Sequence, residues 1–155
     1  MSDSGMNSFR VRAATQDDLP AIYQIEDASF SDPYPHRLLA RLLNDKSNDF
    51  LVAEMEIGRV VGYCVASKES GIAHLLSIGV LLEYRERGVG TALVRKLLEN
   101  AGPGVKGMTL EVKKGNYEAI RLYESLGFKP VEVIAGYYSD GSAAVKMQLN
   151  IHDGA

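Results

Sequence analysis

Cysteine is nearly absent. The one thiol among 155 residues, Cys64, has no partner for an internal disulfide, so nothing points to a stapled, secreted scaffold. It lies in the apolar run V-V-G-Y-C-V-A and reads as a small buried hydrophobe. No apolar run reaches the ~18 residues of a membrane-spanning helix, so no membrane partner is expected. The opening M-S-D-S-G-M-N-S is polar and lacks a signal-peptide core, which predicts a disordered leader over residues 1–8 and a cytoplasmic protein. No block of one charge sign exceeds a few residues and the formal net charge is −3. That excludes bulk binding to nucleic-acid phosphates or anionic lipid. His36, His74 and His152 are isolated, without ligand spacing, so no metal site is expected.

What is present is an ordinary folded chain, 46% hydrophobic and 24% charged, of the length of one domain. Phe9–Ala13 alternates like a strand. Thr15 with Asp18 three residues on reads as a helix N-cap with an acidic first turn. Leu19, Ile22, Ile25 and Ala28 then recur at helical spacing. The prolines of S-F-S-D-P-Y-P stop that helix, and H-R-L-L-A-R-L-L starts another. Phe50–Glu56 and Arg59–Ser67 flank the turn signal Ile57-Gly58, and His74–Leu81 is a third apolar strand. Val89, Leu93, Leu97 and Ala101 mark the buried face of a helix that Gly102-Pro103-Gly104 ends. Met108–Val112 is a strand, Asn116 caps a short helix, and Gly127 is its left-handed stop. Phe128–Ala135 and Ala143–Leu149 are the last strands. The order β-α-α-β-β-β-α-β-α-β-β, with no repeat or linker, predicts a single mixed α/β domain around a central sheet over residues 9–150, with a flexible tail at 151–155.

The stretch Y-R-E-R-G-V-G-T-A, residues 84–92, places two glycines between a strand and a helix. A helix N-terminus carries unsatisfied N–H groups and a positive dipole end, and glycine lets an anion approach the backbone. A dinucleotide fingerprint is excluded because Leu93 stands where a third glycine or alanine belongs, and the P-loop pattern is absent.

Arg85-x-x-Gly88-x-Gly90 after Ser77-Ile78-Gly79-Val80 resembles the acyl-CoA signature of the GNAT superfamily of acetyltransferases, and the element order is similar to theirs. The segments L-E-V-K-K-G-N-Y-E-A-I-R-L-Y-E-S-L-G-F, G-Y-Y-S-D-G and A-H-L-L-S-I-G-V-L-L-E-Y-R resemble the RimI-type and Ard-type protein N-terminal acetyltransferases, the last most like archaeal members. The resemblance implies the GNAT fold and transfer of acetyl from acetyl-CoA to the α-amino group of protein N-termini, with CoA as product. Ribosomal proteins or nascent chains are among the implied substrates, and a monomer or weak homodimer is expected. It assigns the CoA pyrophosphate to the backbone of Glu86, Arg87, Gly88, Val89, Gly90 and Thr91, the pantetheine arm to Ile78, Gly79, Val80 and Asn116, and counts Arg85 and Tyr123 among the cofactor-binding residues. An oxyanion donor falls on the Val80 N–H. The base falls on Glu111 or His74, directly or through water, and Tyr123 becomes the proton donor to the CoA sulfur. Phe30, Asp32 and Tyr34 of the first loop and Tyr137-Tyr138 of the last would line the peptide.

Each of these residues also has a structural reading: His74 an ordinary strand-end histidine, Glu111 a solvent-facing acid, Tyr123 a core tyrosine, Asn116 a simple cap, Tyr137-Tyr138 a surface pair. Gly79 stands where many relatives have alanine, and Glu86 is acidic where they are often basic. The rival enzyme is a GNAT acetyltransferase for a small amine or a lysine side chain, which would want an acidic pocket; only Glu26, Asp27 and Asp32 are near. The rival outside catalysis is a CoA-binding module, which would lack the acid–base residues.

Overall fold

Alternation at Phe9–Ala13 and the polar turn after it produce the first strand and helix of the computed structural model, which describes residues 8–151. In chain order the elements are β1 (Phe9–Ala13), α1 (Leu19–Ser29), α2 (His36–Asn44), β2 (Asp49–Met55), β3 (Val60–Glu69), β4 (Ile72–Val80), α3 (Val89–Asn100), β5 (Gly107–Lys113), α4 (Tyr117–Ser125), β6 (Lys129–Ile134) and β7 (Ala144–Asn150). The strands order as β1-β2-β3-β4-β5-β7-β6 in a seven-stranded sheet. Strands β4 and β5 are parallel, while β1–β2, β2–β3, β5–β7 and β6–β7 are antiparallel, so the sheet is mixed and the class is the α/β one expected. Apart from residues 8 and 151, the expected leader and tail, and with them His152, lie outside the described residues. Ile151 itself is fastened, its N–H donating to the Lys106 carbonyl at 2.8 Å.

Two compact units divide the described residues, one holding residues 8–66 together with Ser77–Asn100, the other Ser67–Leu76 and residues 101–151. In the first, Ile22 and Ile25 of α1, Leu39 of α2, Leu51–Ala53 of β2, Val61 and Tyr63–Val65 of β3, and Val89, Leu93 and Leu97 of α3 are buried. The expected α3 face is therefore the observed one. Cys64 is fully buried, with Sγ 3.9 Å from the Leu93 carbonyl, and burial pushes its thiol pKa up.

Thr15 and Asp18 cap a short 3-10 turn, Gln16–Asp18, rather than α1 itself; the α-helix proper begins one residue later, with Pro20 in its first turn where no N–H is needed. Arg12 forks onto that turn. Its Nη1 and Nη2 reach the two Asp18 oxygens at 2.8 and 2.9 Å, and its Nε reaches Glu54 Oε1 of β2 at 2.9 Å. Asp18 is 7% exposed, and the Arg12 hydrogen bonds hold its carboxyl below the usual range against the opposing effect of burial.

The second unit is built on β5, β6 and β7. Gly107 opens β5 because an added Cβ would stand 2.9 Å from the Leu149 carbonyl oxygen of β7. Gly127 ends the α4 region with φ +103°, as its stop role requires, and lets Phe128 into the core as a residue just before β6 rather than within it. Strand β6 forms one edge of the sheet, is largely exposed and carries Pro130, a residue suited to an edge.

The Arg12–Asp18 fork predicts a pH-dependent stability. Asp18→Asn is expected to cost about 1–3 kcal/mol near pH 7, the range for leaving one partner of a buried polar pair unmatched. The Asp18 pKa is lowered on folding, so its contribution is complete above the ordinary carboxylate range of about pH 4 and is lost as pH falls through the folded value. Urea melts of wild type and variant should differ most at pH 7 and converge on acidification.

Candidate active site

In the first unit, β4 runs out at Val80 and the chain turns back into α3 through residues 81–88. The turn is braced from within. The Arg85 Nε donates to the Val80 carbonyl at 2.8 Å, and the guanidinium groups of Arg59 and Arg87 lie 5.6 and 5.4 Å from the Tyr84 ring centre. Arg85 thus shapes the strand end on which it follows. Glu86 and Gly88 both take left-handed backbone, φ +62° and +85°. At Gly88 an added Cβ would meet nothing within 4 Å, so the glycine serves conformation and leaves open space. Ala92 N–H closes onto the Gly88 carbonyl at 3.0 Å as α3 begins. The N–H groups of Val89, Gly90 and Thr91 then fall in a first turn that has no intrahelical acceptors for them. Gly90 lies inside this helical turn rather than before it. The donor set fits a phosphate group, for which a helix start behind a left-handed glycine is suited.

Just upstream, Gly79 sits under α1. A Cβ there would meet Ile25 Cγ2 at 3.0 Å, Ser29 Oγ at 3.1 Å and Tyr63 Cε1 at 3.3 Å. An alanine here would require the Ile25 and Ser29 side chains to give by a few tenths of an ångström. Ile78 and Val80 flank it, half-buried. The loop between α1 and α2 carries Phe30, 38% exposed, with Asp32 exposed and Tyr34 half-buried. The Tyr34 N–H donates to Glu26 Oε2 at 2.8 Å. Glu26 Oε1 accepts from the Tyr63 hydroxyl and from Ser77 Oγ at 3.2 Å, and Tyr63 and Ser77 are themselves 2.8 Å apart. Burial, and then the Glu26 carboxylate, raise the Tyr63 phenol pKa and keep it a donor.

In the second unit the parallel register sets Ile72, Ala73 and His74 opposite Gly107, Met108 and Thr109. Glu111 is two residues beyond Thr109 and on the same face of β5. His74 Nε2 lies 2.7 Å from Glu111 Oε1, with the two side chains 38% and 16% exposed. His74 is the third residue of its strand rather than the first, and it is paired. The Tyr137 phenol pKa is raised first by burial and then by the nearby Glu111 carboxylate. Two of the expected catalytic residues and one expected substrate residue therefore form one cluster. Tyr138 packs edge-on against Tyr137 at 4.9 Å; Lys113 Nζ lies 5.5 Å from the Tyr138 ring centre and 3.0 Å from Asp140 Oδ2, fastening the β6–β7 loop to the end of β5. Tyr123 is 6% exposed and packs edge-on against Phe128 at 5.8 Å. Asn116 Oδ1 accepts from the Ala119 N–H at 3.2 Å, so Asn116 is the cap of α4.

Sequence reasoning missed the Glu26–Tyr63–Ser77 group and the nearness of Tyr137 to Glu111. One signal was available: Glu26 is four residues after Ile22, on the apolar face of α1, where an acid must find partners. Chemically, a carboxylate and an imidazole in contact can accept a proton, and a buried phenol can donate one.

An N-alpha-acetyltransferase of Saccharolobus solfataricus is 34% identical to this chain over 153 residues, covering 90% of this chain and 91% of the relative. The ribosomal protein bS18-alanine N-acetyltransferase of Escherichia coli is 32% identical over 138 residues, covering 86% and 92%. The crystal structure of Ard1 from Thermoplasma volcanium superposes with a TM-score of 0.86 at 32% identity, covering 93% of this chain and 98% of that one. Residues 19–128 match the acetyltransferase (GNAT) family. With that match over most of its length, the chain belongs to the GNAT family of acetyltransferases.

Proposed function

We propose that the protein transfers an acetyl group from acetyl-CoA to the α-amino group of protein N-termini, with residues 9–150 as the catalytic domain. The contact between His74 and Glu111 at 2.7 Å, with Tyr137 near the same carboxylate, carries this reading. The relatives that share about a third of its residues act, by their names, on α-amino groups and on the alanine of a ribosomal protein. N-termini of ribosomal proteins or nascent chains are the corresponding substrates here, and a lone buried thiol suits a reducing cytoplasm.

Acetyl-CoA supplies the acetyl group as an activated thioester. The residues of this chain then have six tasks. Backbone N–H groups of Gly88 to Thr91 hold the pyrophosphate, with Arg85 and Arg87 shaping the turn. The edge of β4 at Ile78–Val80 offers strand-like partners to the pantetheine amides, and the Val80 N–H donates to the carbonyl oxygen as charge builds on it. Glu111 and His74 receive the proton that the amine sheds as its nitrogen bonds to the carbonyl carbon. Tyr123 gives a proton to the sulfur as the carbon–sulfur bond breaks and is reprotonated at the expense of the Glu111–His74 pair, so a neutral amine yields amide and free thiol with no net proton, and an ammonium releases one before it attacks. An α-amino group, with an ordinary pKa of about 7.7–8.0 against about 10.4 for lysine, is partly neutral near pH 7 and needs only modest help from this pair. Phe30, Asp32, Tyr34, Tyr137 and Tyr138 line the acceptor, with tyrosine hydroxyls meeting peptide backbone.

The test is thiol release from acetyl-CoA with a panel of acceptors. Peptides with free Ser, Ala or Met N-termini should turn over; the same peptides N-blocked but with a free lysine, and spermidine, should not. Turnover on the latter alone would replace the reading with a small-amine or lysine enzyme. Glu111→Gln is expected to lower kcat about 10²–10³-fold, and His74→Ala about 10-fold, because general-base assistance is worth roughly 10²–10⁴-fold and Glu111 is the more enclosed partner. Tyr123→Phe should lower kcat with little change in peptide KM.

Tyr137 has two tasks in this scheme, one on Glu111 and one on the peptide. Tyr137→Phe should raise the peptide KM by about 3- to 10-fold, the scale of one neutral hydrogen bond, while the KM for acetyl-CoA stays within a factor of two.

A further inference from the structure

Glu26 is only 2% exposed, yet the partners it is given are all neutral donors: the Tyr63 hydroxyl, the Ser77 hydroxyl and the Tyr34 N–H. A carboxylate removed from water must have its oxygens occupied, and here three bonds do so. Two of the donors stand on strands, β3 and β4. The third belongs to the backbone of the α1–α2 loop. The carboxylate therefore ties that loop to the strands behind it.

Backbone donors are few in the loop. Tyr34 lies between Pro33 and Pro35, which have no N–H, so its own N–H is the one backbone donor of the three residues, and it is committed to Glu26. Past Pro35, His36 stacks on Tyr23 with ring centres 4.1 Å apart and planes 1° from parallel, and its Nε2 lies 2.9 Å from Asp27 Oδ2. Tyr23, Glu26 and Asp27 are neighbours at three- and four-residue spacing on α1. One helical face thus fastens the loop twice, through an exposed clamp at His36 and a buried one at Tyr34. The same part of α1 rests on β4, where Ile25 and Ser29 crowd Gly79, and Ser77 directly precedes the strand edge 78–80.

We infer that Glu26 is a positioning residue for the acceptor, acting through the Tyr34 N–H to hold Phe30–Pro35 in its acceptor-lining shape. The acceptor role of that loop rests on the function proposed above; the clamp itself does not. A neutral acceptor is enough for it, so glutamine can serve in place of glutamate, whereas an aliphatic side chain cannot.

Amide hydrogen exchange and steady-state kinetics on the full chain test this together. In the wild type the Tyr34 amide should exchange at least about 100-fold more slowly than in a free peptide of the same sequence. In Glu26→Leu that protection should be lost at Tyr34 and its neighbours while the amides of β2 and β3 keep theirs. Peptide KM should rise about 10-fold or more, with acetyl-CoA KM within a factor of three of wild type. Glu26→Gln should restore both readouts most of the way. Tyr63→Phe, which removes a different donor from the same carboxylate, should leave Tyr34 protected and the peptide KM nearly unchanged. An unprotected Tyr34 amide in the wild type would overturn the inference without any variant having to fold. So would uniform loss of protection in Glu26→Leu, equal kinetic effects of Glu26→Leu and Tyr63→Phe, or a released Tyr34 with an unchanged peptide KM. If no peptide is acetylated by the wild type but Tyr34 is protected and freed by Glu26→Leu, the clamp stands and the acceptor reading falls.

Discussion

Three residues of parallel pairing, Ile72–His74 against Gly107–Thr109, constrain more of this protein than any longer ladder does. Parallel strands cannot be joined by a tight turn and need a long crossover, usually a helix. Here α3 supplies it, so a helix must start just after β4 ends, and the phosphate-suited turn is a product of that requirement. The same register sets His74 beside Thr109, and the two-residue period of β5 then puts Glu111 on the shared face. Antiparallel pairing between β5 and β7 runs from Gly107 to Lys113, which holds Glu111 on a rigid element opposite Lys146.

Two glutamates, both withdrawn from water, live in opposite company. Glu111 has an ionisable neighbour in contact, His74, and is partly open; Glu26 has hydroxyls and an amide, and is closed. A carboxylate that must exchange protons gains from a partner that can share the change, whereas one that must stay put gains from donors that do not titrate in the working range. The elevated phenol pKa of Tyr63 belongs to the second arrangement. Environment, not residue type, separates the acid proposed to react from the one proposed to fasten.

The element order, the buried faces of α1 and α3, the strand carrying Glu111 and the left-handed stop at Gly127 were legible in the sequence because each rests on local chemistry: periodicity, caps and glycine. Thr15–Asp18 was read as a cap correctly but for the wrong helix, since a capping pair looks the same before a 3-10 turn as before an α-helix. The Glu26 group was illegible for a different reason. Its partners Tyr63 and Ser77 are 37 and 51 residues away, and only the stacking of α1 on β3 and β4 brings them together. Likewise Tyr137 was read as facing peptide, and its nearness to Glu111 joins residues 26 positions apart on a loop that Lys113 and Asp140 fasten to the end of β5. The crowding of Gly79 by Ile25, Ser29 and Tyr63 was also illegible, because it depends on how α1 packs over β4.

The lone thiol has a practical corollary. Cys64 is fully enclosed and its ionisation is suppressed by burial, and a thiol that cannot form thiolate or meet solvent does not react. A chromogenic disulfide reagent added to the native protein therefore sees only thiol made by turnover, with no background from the enzyme. The same reagent in denaturant sees one equivalent per chain. Cys64 is in effect an internal gauge: the rate at which it becomes reactive in the absence of denaturant reports how often the first unit opens around it.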